Sequence, residues 1–108
     1  MDTALENNAF AMFRNPCTED YKRHLLLTVK AQIDSSPRIT VKKLKALMQT
    51  KFFAAPEDVD GALAALLNVF GCISSFTIRD RQVTHLNPKQ SAAWDAYSRC
   101  FQPQEQLA

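Results

Sequence analysis

The residues of this 108-residue chain with chemical potential are three cysteines, two histidines, 11 carboxylates and 13 cationic side chains. Cys17, Cys72 and Cys100 are odd in number and widely spaced, which fits neither a disulfide framework nor a paired C-x-x-C metal site. They read as reduced, partly buried thiols, because free cysteine behaves mostly as a small hydrophobe. His24 and His85 have no partner at a spacing that marks a zinc site, so no metal and no cofactor is expected. Gly61 and Gly71 are the only glycines, too few for a phosphate-cradling loop. A Cys–His nucleophile pair would have to be assembled in space, and nothing in the sequence marks an activated thiol. The expectation is a chain that is not an enzyme.

The cations are the next source of chemistry. Lys42, Lys43, Lys45 and Lys51 crowd one segment, and Arg79 and Arg81 another. Together they could hold a DNA backbone from two sides, with a solvated lysine-rich helix face as the plainer alternative. The net charge of only +2 falls short of the basic footprint usual in nucleic-acid binders. A third cluster, Glu57, Asp58 and Asp60, is acidic and heads an apolar run.

The elements that must position these groups follow from periodicity. Residues 1–16 read as an N-terminal arm, helical over Thr3–Arg14, presenting Ala9, Phe10 and Phe13 and broken by Asn15-Pro16. Thr18 is an N-cap, and Tyr21, Leu25, Val29 and Ile33 follow at four-residue steps beside Leu26, which predicts an amphipathic helix ended by Ser35-Ser36-Pro37. Leu27 lies about 200° around that helix from Leu25 and needs separate cover, from Phe10 and Phe13 of the arm or from a partner. Arg38-Ile39 is predicted as a short strand. Thr40 caps a second helix with Val41, Leu44, Leu47, Met48 and Phe52 inward and Lys42, Lys45 and Gln49 outward. Pro56 suits the first position of a third helix, with Val59, Ala62, Leu63, Leu66 and Phe70 buried and Gly71 as its left-handed cap. The period then changes to two: Ile73–Ile78 and Val83–Leu86 form a hairpin with its tip at residues 79–82. Asn87-Pro88 opens a last helix with Ala93, Trp94, Tyr97, Cys100 and Phe101 on its apolar side, and residues 102–108 read as a disordered tail.

Helix, short strand, helix, tight break, helix, glycine and hairpin is an order that resembles the winged helix-turn-helix superfamily. The stretch Val59-Asp60-Gly61-Ala62-Leu63-Ala64-Ala65-Leu66, then Gly71-Cys72-Ile73, a hairpin ending Leu86-Asn87 and a closing helix looks like the third helix, wing and tail helix of small bacterial regulators. The resemblance spans roughly residues 19 to 101 and implies an α+β, mostly α, fold: a three-helix core, a β-hairpin wing and flanking N- and C-terminal helices, one domain over residues 17–101. In that superfamily the third helix usually enters the major groove with cations and amides. Here its outward face is expected to be Glu57, Asp60, Gly61, Ala64 and Asn68, edged by Asp58 and Leu67, without a cation. Carboxylates repel phosphates, so this face favours protein contact.

The reading is therefore a regulatory or adaptor protein that uses Glu57, Asp60, Gly61, Ala64, Leu67 and Asn68 against another protein, such as a transcription factor or other nucleic-acid-processing protein. The alternative is a dimeric DNA-binding transcriptional regulator that touches double-stranded DNA through Lys42, Lys43, Lys45, Arg79 and Arg81. Trp94, Tyr97 and Phe101 are either core or a homodimer interface. No apolar run reaches membrane-spanning length, and the start lacks the regions of a signal peptide, so no membrane and a cytoplasmic location are expected.

Overall fold

The structure, a computed structural model, describes residues 3–78 and 83–101. Among these the chain is α+β and mostly helical, with five helices and one three-stranded antiparallel sheet. The chain runs α1 (Thr3–Phe10), α2 (Glu19–Ser35), β1 (Ile39–Thr40), α3 (Val41–Phe52) and α4 (Pro56–Ala64). A π-helical segment (Ala65–Val69) continues α4, and β2 (Ile73–Ile78), β3 (Val83–Pro88) and α5 (Ala92–Arg99) follow. No helix among the described residues is long and apolar enough to cross a membrane.

Local chemistry starts and stops these elements where expected in most cases. The Thr18 and Thr40 hydroxyls accept the backbone N–H groups of Tyr21 and Lys43, each at 3.1 Å, capping α2 and α3. Pro56 occupies the start of α4, where its missing N–H costs nothing. Gly71 takes the positive φ of 63° that ends the third helix.

Apart from α1, which ends at Phe10 and not at the expected Arg14, three boundaries differ. Arg38 has φ 69°, a left-handed conformation that no strand accommodates, so β1 begins one residue later than predicted; the Arg38 N–H still donates to the Leu86 carbonyl at 2.8 Å. Asn87 and Pro88 extend β3 opposite Ser74 and Ile73 instead of opening a helix. Since β1 pairs only with His85 and Leu86, β3 has a free edge by Pro88, where proline is tolerated. The real cap of α5 is Ser91, whose hydroxyl accepts the Trp94 N–H at 3.1 Å and donates to the Phe70 carbonyl at 2.6 Å. Third, the apolar run after Ala64 widens: Phe70 donates to Ala65, five residues back, at 3.1 Å.

The sheet order is β1-β3-β2, with Phe76 opposite His85 and His85 opposite Thr40. The inner face carries Ile39, Ile73 and Leu86 onto Leu25, Leu26, Val29, Ile33, Leu44, Met48, Val59 and Leu66, all buried. Phe52, expected inside, is 39% exposed and meets His24 edge to face at 6.0 Å. The arm joins the core: Ala9, Phe10 and Phe13 are buried. Leu27 is half-buried against the core and lines a cleft with Trp94 and Phe101.

Candidate functional site

The face of the third helix expected to point outward is divided. Glu57, Asp60, Leu67 and Asn68 are exposed, and Ala64 is half-buried. Gly61 is buried, because Phe13 of the arm lies across it: a Cβ there would sit 3.0 Å from the Phe13 Cα and from its ring. Asp58 is buried as well, at 6% exposure. Its carboxylate accepts from the Asn15 amide at 2.9 Å, the Tyr21 hydroxyl at 3.2 Å and the Cys17 thiol at 3.7 Å. These contacts pin the turn after α1 to the start of α4. Burial first, then the Asp58 charge, pushes the Tyr21 hydroxyl up to about 12 and raises the Cys17 thiol, so both stay protonated donors.

The arm is held from its other end by a second buried cluster. Glu6, 6% exposed, takes a two-pronged contact from the Arg23 guanidinium at 2.9 and 3.0 Å and a hydrogen bond from the Tyr97 hydroxyl at 2.5 Å. The Arg23 guanidinium lies 5.9 Å from the Phe10 ring centroid and 5.0 Å from that of Phe101, joining α1, α2 and the end of α5. The Arg23 hydrogen bonds hold the Glu6 carboxyl below its usual range against the opposing effect of burial.

What remains outward is a shallow cleft where the arm meets α4, lined by Met12, Arg14, Glu57, Asp60, Gly61 and Ala64. Asp60 also binds Lys45 at 2.8 Å, so Lys45 is tied to the acidic face and is not a free cation. Among the described residues the large apolar side chains that stand clearly exposed are Met12 at 37%, Phe52 at 39%, Phe53 at 88% and Leu67 at 39%. They sit on the arm, at the α3–α4 turn and on the third helix, and Met12 shares the cleft with the carboxylates of Glu57 and Asp60. Phe53 has φ 56°, a left-handed position that favours glycine, yet it holds an outward aromatic ring.

The other predicted residues fall elsewhere. Lys42 and Lys43 are exposed at the start of α3, and Arg79 and Arg81 lie outside the described residues. Trp94 and Tyr97 are committed to the core, at 5.0 and 4.9 Å from the Phe70 ring, and Phe101 is half-buried against Tyr97. That stripe is interior packing, so Trp94 and Tyr97 are unavailable as a dimer face. Ala93 and Cys100, expected on its apolar side, are exposed. Sequence reasoning missed Met12 and Phe53, and it set Asp58 at the edge of the outward face although that residue is buried. Only Phe53 carried a signal, an aromatic at a helix end where glycine is usual.

Among the described residues no three His, Cys, Asp or Glu side chains converge as a metal-ligand group. Burial pushes the Cys72 thiol up to about 12, and Cys17 is raised too, the wrong direction for a nucleophile. Comparison of the chain with protein-family models, with curated proteins and with solved structures found no match.

Proposed function

We propose that this chain is a small, non-catalytic regulatory or adaptor protein that binds another protein through the third helix and the arm beside it. The scaffold we propose is a winged helix, supported by the order helix, strand, two helices and hairpin and by the sheet order β1-β3-β2. One observation carries the functional reading. Exposed Met12 shares a cleft with the carboxylates of Glu57 and Asp60, Leu67 is exposed further along the same helix and Phe53 on the turn that leads into it, the composition of a protein contact with a polar rim. The same helix is poorly suited to a DNA groove: its outward residues include no cation, and Phe13 already occupies the position above Gly61. The partner class that fits is a transcription factor or other nucleic-acid-processing protein.

The test uses the full chain as bait with Met12→Asp and Leu67→Asp variants. A partner retained by the wild type should be lost at least tenfold from both, since a central apolar contact typically contributes about 2 kcal/mol or more. Their melting temperatures should stay within a few degrees, because both side chains are already more than a third exposed. Undiminished capture by both variants rejects the surface.

A further inference from the structure

We propose that the outer edge of β2 is a dimer interface, at which a second copy of this chain adds its own β2, antiparallel, and joins the two sheets into one. This goes beyond the protein contact assigned to α4, does not rest on it and uses none of its residues.

The ladder fixes which backbone groups that edge presents. β2 stands at the end of the order β1-β3-β2 and pairs with no other strand among the described residues. The Lys89 N–H donates to the Cys72 carbonyl at 2.9 Å, so Cys72 and, by the alternation of an antiparallel pair, Ser74 and Phe76 turn their N–H and C=O groups towards β3. Two neighbours agree with that phase. Pro88, which has no N–H, stands opposite Ile73, and the Thr77 and Thr84 hydroxyls, 3.4 Å apart, are close in the way of a non-hydrogen-bonded pair. Ser75 and Thr77 therefore direct their N–H and C=O groups away from β3, and both residues are exposed.

This edge lacks the features that usually keep a strand from pairing. From Ile73 to Ile78 there is no charged residue and no proline, and the register against β3 runs without a bulge, whereas the sheet's other edge, β1, is only two residues long. Neutrality also selects the occupant. Around a two-fold axis a strand meets its own sequence, so a charged strand brings like charges together, and β2 brings none. With the axis between the two Phe76 residues, Ser75 of each copy exchanges N–H···O bonds with Thr77 of the other. The Phe76 rings then face each other as a non-hydrogen-bonded pair, where side chains come closest. Each ring is half-buried and already stacked on His85 at 5.1 Å and 14°, so it is held in place to meet its twin, and cross-strand aromatic pairs stabilise a sheet. A foreign strand would find the same backbone bonds but no charge on β2 to single it out.

The experiment is sedimentation equilibrium on the full chain from about 10 µM to about 1 mM, a range that brackets the roughly 10–100 µM affinity expected of an interface below about 1,200 Å². The weight-average mass should rise from that of one copy towards that of two. Ser75→Pro removes an N–H that the β2–β3 ladder does not use, and edge strands accept proline at such positions. The variant should keep its melting temperature within a few degrees and associate at least about tenfold more weakly. Thr77→Lys supplies the kind of charge that guards natural edges and should weaken association to a similar extent. In the wild type, amide exchange at Ser75 and Thr77 should slow as the concentration rises. A chain that stays monomeric at about 1 mM overturns the proposal, as does wild-type association in Thr77→Lys. Dimers that Leu67→Asp dissociates and both strand variants leave intact also overturn it and move the contact to the α4 surface.

Discussion

Glu6 shows how far a single side chain governs this molecule. It is a buried carboxylate whose charge is balanced by Arg23 and whose second donor is Tyr97, from the far end of the chain. Removing the carboxylate leaves a guanidinium and a phenol facing apolar surroundings, which costs more than the pair itself contributes. Glu6→Ala should therefore destabilise the fold by about 3 kcal/mol, the low end for a broken buried pair because Arg23 keeps 23% side-chain exposure. Denaturant unfolding at neutral pH measures this directly. The sign of the pH dependence follows from the lowered folded pKa: the stabilisation is present above the usual glutamate value of 4.5 and is lost as pH falls through the folded value. Between pH 7 and pH 3 the wild type should lose more stability than Glu6→Gln, and equal losses would remove Glu6 from the account.

At the scale of elements, the contact between the arm and α4 turns on Gly61. In an exposed helix Gly→Ala gains about 1 kcal/mol from propensity alone. Here the new methyl would meet the Phe13 backbone and ring at 3.0 Å, and overpacking of that kind costs about 1–3 kcal/mol. Because backbone is involved, the clash should win: Gly61→Ala should lower the melting temperature and speed proteolysis within residues 10–16. A higher melting temperature with unchanged proteolysis would mean that the arm is loosely seated. Phe53 presents the opposite case. Its left-handed backbone costs an L-residue about 1–2 kcal/mol and glycine little, and at 88% exposure the ring buries almost nothing. Phe53→Gly should raise stability by up to about 1 kcal/mol while weakening partner capture, a trade-off expected where a side chain is kept for contact. Stabilisation with undiminished capture would exclude Phe53 from the surface.

For the whole molecule, the arm is part of the core. Phe10 and Phe13 are 6% and 7% exposed, and burying each is worth about 1.5–3 kcal/mol. Against a total stability of about 5–15 kcal/mol for a domain, that share is too large for an appendage. A chain beginning at Cys17 should lose its cooperative thermal transition or melt far below the full chain. Full-length melting behaviour in the truncated protein would show that residues 3–16 merely rest on the surface.

The amino-acid pattern by itself determined which segments become helix and strand, because caps, prolines, Gly71 and the change of period from 3.6 to 2 are local signals. It also located the acidic and basic segments. It misplaced the start of α5, since Asn87-Pro88 is as good a helix opening as Ser91 until Ser74 and Ile73 pair with it. It could not foresee the π-helical widening, because the nearly continuous apolar run from Ala62 to Val69 carries no phase that would distinguish one register from another. Tertiary structure alone decided the fate of individual side chains. Whether Gly61 is surface or floor depends on where Phe13 lands, and whether Lys45 is a free cation depends on Asp60, fifteen positions away. The expected outward face was assigned from helical phase, which tells which residues share a side but not what the rest of the chain lays over that side.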